Sequence, residues 1–339
     1  MSNDKVVVVT VTYGERWVFL SQVIEAVIGD INVVKLIIID NGSKNKEEII
    51  KGVKPYGEKV VIIRHDKNLG SAGGFHSGLK ASRDIECDFV FLLDDDNVPE
   101  EGAVNRFLDI KNNFLKEKNI VLMGNRVDLS GSQEYFYKPS LSNLNPKGTF
   151  FEVFSFEKFI HFVKLITGIY SKNLNKGPFL PIIPNVGFIY GGAFLPIEAV
   201  RESPLPDESL VLYGDDIAYS WGVKKAGYKS YVSTLPIIHD IDSSFGDSHI
   251  FGLFNPDTHP FKVYYRIRNM VRISRENSSQ WKITLFLSII IWTIGLCFLG
   301  VFKHGLTKKY FKRACLIFKA VYGGYIKNAK VPFEAELPQ

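Results

Sequence analysis

Cysteine is scarce in this chain. Cys87, Cys297 and Cys315 are scattered over 339 residues with no ligand spacing between them. That excludes a disulfide framework and a thiolate zinc site, and it fits a reducing compartment. Charge of one sign is scarce too: the net charge is only +5, so the overall balance names no partner. No internal repeat or low-complexity tract interrupts the chain. With 46% hydrophobic and 23% charged residues, wholesale disorder is excluded. A signal peptide is not expected, because Met1 to Lys5 lead straight into a short apolar run, Val6 to Thr12, with no small-residue cleavage site. Neither the G-x-G-x-x-G dinucleotide fingerprint nor the Walker A pattern occurs.

What is present alternates. Val6–Thr12 is an apolar, β-branched run that predicts a strand buried on both faces. Residues 17–28 predict a helix with Phe19, Leu20, Val23, Ile24 and Val27 on one stripe. Strands follow at Val33–Asp40, Val60–Arg64 and Phe89–Leu93, separated by short helices and turn clusters such as Asn41-Gly42-Ser43. This spacing predicts a doubly wound α/β layer with right-handed crossovers, whose ligands sit beyond the carboxyl ends of the strands. Asp40, Asn68 and the Asp94-Asp95-Asp96 triplet all fall at such ends. The stretch from Asp128 to Pro184 is less regular and reads as an insertion or acceptor-side region. Regular structure is expected again at Phe188–Leu195, at a helix from Asp216 to Ala226 stopped by Gly227, at a strand near Lys229–Ser233 leading to His239, and at a helix from Pro260 to Arg275.

The Asp94-Asp95-Asp96 triplet ends a buried, uncharged strand, where three carboxylates repel one another unless something neutralises them. Residues two apart on a strand point the same way, so Asp94 and Asp96 face one ion and Asp95 points elsewhere. Such oxygens suit Mg²⁺ or Mn²⁺, which keep positions open for phosphate oxygens; the plainer alternative is a solvated turn. The loop from Asn68 to Phe75, with Gly70, Gly73 and Gly74, opens a helix, a place that favours anions, or else is an ordinary tight turn. In Gly214-Asp215-Asp216, one aspartate is a helix cap, or the other is a general base aimed at a hydroxyl. His239 is a structural histidine or a Mn²⁺ ligand. Tyr264 and Arg268 share a helix face, which places Arg268 to reach a phosphate or lipid headgroup, or to form a surface ion pair.

From Ile283 to Phe302 no residue is charged. Lys303, Lys308, Lys309, Lys312, Arg313, Lys319, Lys327 and Lys330 follow, with Phe311, Leu316, Ile317 and Val321 among them. That is the pattern of a basic amphipathic helix on anionic lipid. A single span would place this basic tail across the membrane from a domain flanked by Arg272, Arg275 and Lys282, against the positive-inside tendency. The expected arrangement is monotopic, with the apolar helix in one leaflet; a helix buried in the globular domain is the alternative. Because the basic cluster accompanies an apolar helix where a groove-reading motif would be needed, nucleic acid is not an expected partner.

Taken in order, Thr10-Val11-Thr12-Tyr13, Asp40-Asn41-Gly42-Ser43, Asn68-Leu69-Gly70, Asp94-Asp95-Asp96, Gly191-Gly192, Gly214-Asp215-Asp216 and Ala226-Gly227-Tyr228 resemble the inverting GT-A glycosyltransferases of family 2, over about residues 6–272. The Asn68 to Phe75 loop, the full triplet, the later histidine and Tyr264-Tyr265 with Arg268-Asn269 are most similar to bacterial galactofuranosyltransferases. The resemblance implies a GT-A-type, mostly parallel sheet over residues 1–260 (a nucleotide-binding half at 1–127, an acceptor half at 128–260). Membrane-associating helices at 261–330 and a tail at 331–339 complete the division. It implies donor contacts from Thr12, Arg16, Asp40, Asn68, Gly73, Gly74 and Asp95, with Arg268 on a phosphate. Asp94, Asp96 and His239 would hold Mn²⁺ or Mg²⁺, and Asp216, beside Asp215, would be the base.

The activity implied is transfer of galactofuranose from UDP-galactofuranose to a lipid-linked glycan, at the cytoplasmic face of the cell membrane, in surface polysaccharide synthesis. The alternatives are a rhamnosyltransferase using dTDP-rhamnose, a sugar nucleotidyltransferase, and a non-catalytic membrane glycan-binding module. Many relatives carry a further acidic residue where Ile217-Ala218 stands here, and the long extra domains of galactofuranan polymerases are missing, so transfer of one or a few sugars is expected.

Overall fold

The computed structural model describes residues 4–115, 117–128, 180–185, 187–242, 253–254, 258–277, 281–326 and 329–337. Most of the region read as an acceptor-side insertion, 129–179, and the last tail residues, 338–339, lie outside the described residues.

The strands are β1 (Val6–Thr12), β2 (Val33–Asn41), β3 (Val60–His65), β4 (Phe89–Asp94), β5 (Asn97–Pro99), β6 (Ile120–Arg126), β7 (Ile182–Asn185), β8 (Ala193–Pro196) and β9 (Lys229–Asp240). They form one sheet in the order β3-β2-β1-β4-β8-β6-β9-β5, with β7 also on β9. Strands β3, β2, β1 and β4 are mutually parallel, as are β6 and β9. Strand β8 runs antiparallel between β4 and β6. The fold is therefore mixed α/β with a mostly parallel sheet, as expected.

Alternation along β1 explains its layers. Val6 and Val8 join Leu20, Val23, Ile24 and Val27 of helix α1 (Trp17–Ile28) in one core. Val7, Val9 and Val11 join Phe75 and Leu79 of α3 (Gly70–Ser82) in the core on the other face. Full burial stabilises each valine by roughly 1.5 kcal/mol or more. Two glycines let α3 seat directly on β1: a Cβ on Gly74 would lie 2.4 Å from Val11 Cγ1, and one on Gly78 2.4 Å from Val9 Cγ1. Helices α2 (Lys46–Val53), α4 (Ala103–Asp109), α5 (Ile197–Glu202) and α6 (Asp215–Lys225) complete the two layers.

Two expectations need correcting. The run Phe188–Leu195 is strand only from Ala193, because Gly192 takes a φ of +97° and Ala193 N–H closes a turn on the Tyr190 carbonyl at 3.0 Å. The strand near Lys229 does not stop at Ser233; it continues to Asp240, and an irregularity in its pairing with β6 absorbs the residues around Pro236.

Helices α7 (Pro260–Asn277), α8 (Lys282–His304) and α9 (Lys308–Tyr325) bury a third core of Val263, Tyr264, Ile267, Val271, Ile289, Leu296, Leu316 and Ile317. A Cβ on Gly324 of α9 would lie 2.6 Å from the Arg268 carbonyl of α7, so these two helices meet at backbone distance. Among the described residues, no helix is long and apolar enough to cross a membrane.

Candidate active site

Five strand ends converge at one edge of the sheet. In register, Thr12 lies opposite Asp40, and Val11 opposite Asp94. Because antiparallel β8 pairs Ala193 with Leu92, the Gly191-Gly192 turn falls just past the end of β4. Strands β6 and β9 run parallel, which delivers Arg126 and Asp240 to the same edge, and β5 sets Asn97 opposite Asp240.

Six carboxylates and two guanidinium groups share this edge. Arg16 Nε donates to Asp95 at 2.9 Å, Nη2 to Asp96 at 2.9 Å and Nη1 to Asp242 at 2.7 Å. Its guanidinium also packs over Phe19, 4.8 Å from the ring centre, and over Tyr13. Buried Thr12 donates its hydroxyl to Asp95 at 2.7 Å. Arg126 grips Asp240 through Nε at 3.1 Å and through Nη2, and its charge also bears on Asp94, Asp96 and Asp216. Asn97 donates to Asp240 at 2.5 Å and accepts from the Asp94 N–H at 3.2 Å. If all were ionised, Asp94, Asp95, Asp96, Asp216, Asp240 and Asp242 would outnumber the two cations, and the buried acids answer that excess by holding protons. Burial lifts Asp94 to about 7 against the pull of Arg126, and lifts Asp95 to about 7 against Arg16 and Thr12. Burial raises Asp96 as well, with Arg16 opposing.

Near the triplet, α6 begins with Asp215 and Asp216. Asp215 is buried and takes the Ser71 hydroxyl at 2.9 Å. Asp216 is less enclosed and takes its own helix's Ile217 N–H at 2.7 Å. Burial raises both carboxyls, and each lies within the other's field. Of the two, only Asp216 is partly exposed.

The sequence from residue 7 to residue 171 matches the family described as Glycosyl transferase family 2. This stretch, just under half of the chain, is similar to that family. No curated protein matches the chain in sequence. Several solved structures are similar to it in fold. S. aureus TarS, residues 1–349, is 10% identical with a TM-score of 0.52, over 94% of this chain and 80% of that one. The mannosyltransferase PcManGT from Pyrobaculum calidifontis, solved with GDP-Man and Mn²⁺, is 10% identical with a TM-score of 0.52, over 97% and 88%. GalNAc-T7, solved with UDP, GalNAc and Mn²⁺, is 14% identical with a TM-score of 0.50, over 80% and 48%. At these identities the likeness is one of fold.

Thr12, Arg16, Asp94, Asp95 and Asp96 come together, and Asp216 lies within the field of Asp94. Asp40 sits one strand away, its carboxylate held by the Ser43 N–H at 2.7 Å and by Arg64. Asn68 accepts from Asn41 at 3.1 Å and from the Gly70 N–H at 2.9 Å, so its oxygen shapes the loop. Gly73 and Gly74 are buried in the first turns of α3. A Cβ on Gly73 would meet Leu69 at 2.6 Å, and Gly74 is the seat on Val11, so both positions are closely packed. At the start of α3 the Gly70 N–H donates to Asn68 at 2.9 Å and the Ala72 N–H to the Val211 carbonyl at 3.1 Å.

His239 and Arg268 are corrections. Strand alternation sets Asp240 toward the cluster and His239 away from it, where its ring nitrogens lie 3.3 Å from Glu100 and 3.3 Å from Asp128. Arg268 does not present its charge to a phosphate: it donates to the Ser209 and Leu210 carbonyls at 2.7 and 2.8 Å.

Among the described residues no group of three or more His, Cys, Asp or Glu side chains converges on one ion position. Mg²⁺ and Mn²⁺ are often held by one or two carboxylates, with water and substrate phosphate completing the shell. Asp94 and Asp96 offer those oxygens inside a cluster whose acids outnumber its cations, so the donor set fits such an ion.

Arg126, Asp240, Asp242 and Gly191 escaped the sequence reading as site residues. A signal existed for three: Arg126 breaks the buried run Ile120–Gly124 at its end, and Asp240 and Asp242 stand two apart past an apolar strand.

The raised carboxyls give a pH dependence with a definite sign. Asp94 and Asp95 hold protons up to about 7 when folded, against 3.8 in their ordinary range. The stability they contribute is present below about pH 4 and is lost as pH rises through about 7. Metal-free protein should therefore melt lower at about pH 8 than at about pH 5.5, and Mn²⁺ should recover most of the difference at the higher pH. Melting curves with the same midpoint at both values would refute this.

Proposed function

We propose that the chain is an inverting glycosyltransferase that moves a sugar, galactofuranose from UDP-galactofuranose, onto a lipid-linked glycan at the cytoplasmic face of the cell membrane. The observation that carries this reading is the nearness of Asp216 to the acidic cluster: its charge bears on Asp94, and Arg126 bears on both. A general base and a diphosphate site would then stand within reach of one another. The choice of galactofuranose rests on the sequence resemblance alone. Divalent-metal use is supported by the carboxylate chemistry of Asp94 and Asp96 and by the Mn²⁺ in two structures of similar fold.

In this mechanism Asp216 takes the proton of the acceptor hydroxyl as that oxygen forms its bond to the anomeric carbon. The bond from that carbon to the diphosphate oxygen breaks on the opposite face, and a single displacement inverts the centre. Arg126, in the field of both Asp94 and Asp216, keeps the base and the acidic cluster from repelling each other apart. A divalent ion on Asp94 and Asp96 would supply Lewis-acid stabilisation of the departing nucleotide diphosphate.

The test is nucleotide diphosphate release by purified protein with Mn²⁺, across UDP-galactofuranose, UDP-galactopyranose, UDP-glucose and dTDP-rhamnose. The expected result is slow release from UDP-galactofuranose, lost with EDTA and in Asp96→Asn. Release from dTDP-rhamnose instead would move the donor. Silence across the panel in protein that also fails to bind UDP with Mn²⁺ would sink the transferase reading.

Attachment to the membrane is supported by the outer faces of α8 and α9. Ile283, Phe286, Ile290, Ile294 and Phe298 are exposed at helical spacing along α8. On α9, Phe311, Phe318 and Tyr322 are exposed among Lys308, Lys309, Lys312 and Lys319. The two helices run antiparallel, with Phe286 edge-on to Tyr325 and the Tyr310 hydroxyl on the Cys297 carbonyl at 2.8 Å. An apolar stripe of this length flanked by lysines matches an anionic bilayer surface. Because α9 also packs on α7, deleting it would expose the third core, so point changes are the cleaner test. Ile290→Glu with Ile294→Glu should abolish co-sedimentation with anionic liposomes in still-folded protein; full retention on the liposomes would count against the surface.

A further inference from the structure

The segment that leads into Gly214-Asp215-Asp216 is held in an unfavourable backbone shape. Val211 has φ +64° and ψ −64°, and the Leu212 N–H donates back to the Leu210 carbonyl at 2.7 Å. This is a γ-turn of the rare, strained kind, centred on a β-branched residue. Tyr213 follows at φ +66° and Gly214 at φ +83°. Such strain costs about 1–3 kcal/mol per residue and persists only where the surroundings over-determine it.

What over-determines it is one face of α7. Asn269 is fully buried, and its amide nitrogen lies 2.8 Å from the Leu210 carbonyl, 2.7 Å from Leu212 and 2.8 Å from Tyr213. Its amide oxygen accepts from Arg268 Nε at 2.8 Å, and Arg268 Nη2 donates to the Ser209 and Leu210 carbonyls. One turn on, Arg272 donates to Ser209 Oγ at 2.6 Å and to Asp207 Oδ2 at 2.6 Å. Gly214 itself rests on this helix: a Cβ there would lie 3.0 Å from Ile273 Cδ1. On its other side the loop caps α3 through the Val211 carbonyl, and a Cβ on Gly70 would lie 2.0 Å from that oxygen.

We propose that Asn269, oriented by Arg268, is a positioning residue that clamps the strained 208–213 loop and so sets where Asp216 stands. This rests on the reading of Asp216 as the base. Arg268 shares the Leu210 carbonyl with this amide, but the Leu212 and Tyr213 carbonyls on either side of the strained turn are held by Asn269. Without it the γ-turn at Val211 relaxes toward ordinary φ values, and the residue two places past Gly214 moves with it. Asn269 touches no reacting atom; it acts through the loop.

The experiment compares wild type with Asn269→Ala and with the milder Asn269→Ser, which keeps one donor. Three quantities are read: amide hydrogen exchange over 208–217 and over 260–325, binding of UDP with Mn²⁺ by calorimetry, and UDP release from UDP-galactofuranose per UDP-binding site. The expected result is faster exchange confined to 208–217, unchanged UDP binding, and an unchanged donor KM. The kcat per binding site should be about 100-fold lower in Asn269→Ala, with Asn269→Ser between it and wild type. A purely structural role would speed exchange along all of 260–325 and lower the number of UDP-binding sites, leaving kcat per site as in wild type; that outcome overturns the proposal. Unchanged exchange over 208–217 also overturns it. If wild type itself releases no UDP and binds none, the transferase reading fails, and the exchange comparison alone then decides whether Asn269 clamps the loop.

Discussion

Asp216→Asn is expected to lower sugar transfer by roughly 10²- to 10⁴-fold, the range that a positioned general base supplies, while binding of UDP with Mn²⁺ stays as in wild type. The amide keeps the volume of the carboxylate and can still accept the Ile217 N–H that Asp216 takes at 2.7 Å, so the helix start is preserved and only proton acceptance is lost. Burial raises the Asp216 carboxyl, which makes the ionised form a better proton acceptor than an exposed aspartate. Asp215 is a poor substitute because it is buried and tied to Ser71 at 2.9 Å. Its replacement by Asn should reduce stability more than it reduces turnover per folded molecule. Steady-state transfer beside calorimetric titration with UDP separates the two roles. Loss of UDP affinity in Asp216→Asn would move Asp216 from the base to the ion-binding side of the cluster.

Much of the fold was legible because its signals are local. Four apolar, β-branched runs with turn clusters between them place β1 to β4 within a residue or two, and the strand-end rule puts Asp94-Asp95-Asp96 at the ligand edge. That rule set Asp40 and Asn68 beside the triplet, while Thr12 and Arg16 entered through the family resemblance alone. What could not be read was which partners arrive from far along the chain. Arg126 and Asp240 are 114 residues apart and meet only because β6 and β9 pair in parallel, a register set by tertiary packing. His239 was misplaced for the same reason: one step along a strand reverses the face, and the register of β5 on β9 decides which step faces the acids. Arg268 was misread because helix spacing shows which residues share a face, not what that face meets. Glycine was the most ambiguous letter. Gly73 and Gly74 open a helix in sequence, and only the structure shows that each is packed against a side chain, Leu69 or Val11.

Gly191 is the glycine whose smallness the site itself requires, and Gly191→Ala is the second large effect expected. A Cβ at this position would lie 2.0 Å from Asn97 Oδ1, 2.8 Å from Arg126 Nη1 and 2.9 Å from Asp94 Oδ2. Those three atoms belong to the groups that orient the acidic cluster. Asn97 receives the Asp94 N–H and donates to Asp240, and Arg126 holds Asp240. Pushing Asn97 aside therefore disturbs Asp94 and removes one of the two groups that hold Asp240. The φ of Gly191 is not in the positive range, so alanine meets no backbone penalty and the methyl alone is tested. Misplacing reacting groups by about 1 Å costs on the order of 100-fold in rate, and overpacking costs about 1–3 kcal/mol. Gly191→Ala should thus lose both turnover and Mn²⁺-dependent UDP binding while remaining folded. Gly222 provides the control on the same chain, since a methyl there meets nothing closer than 3.7 Å, and Gly222→Ala should leave both measurements unchanged. If Gly191→Ala binds UDP with Mn²⁺ as wild type does, the cluster yields to the methyl without losing its ion, and the close packing at Gly191 does not govern the donor site.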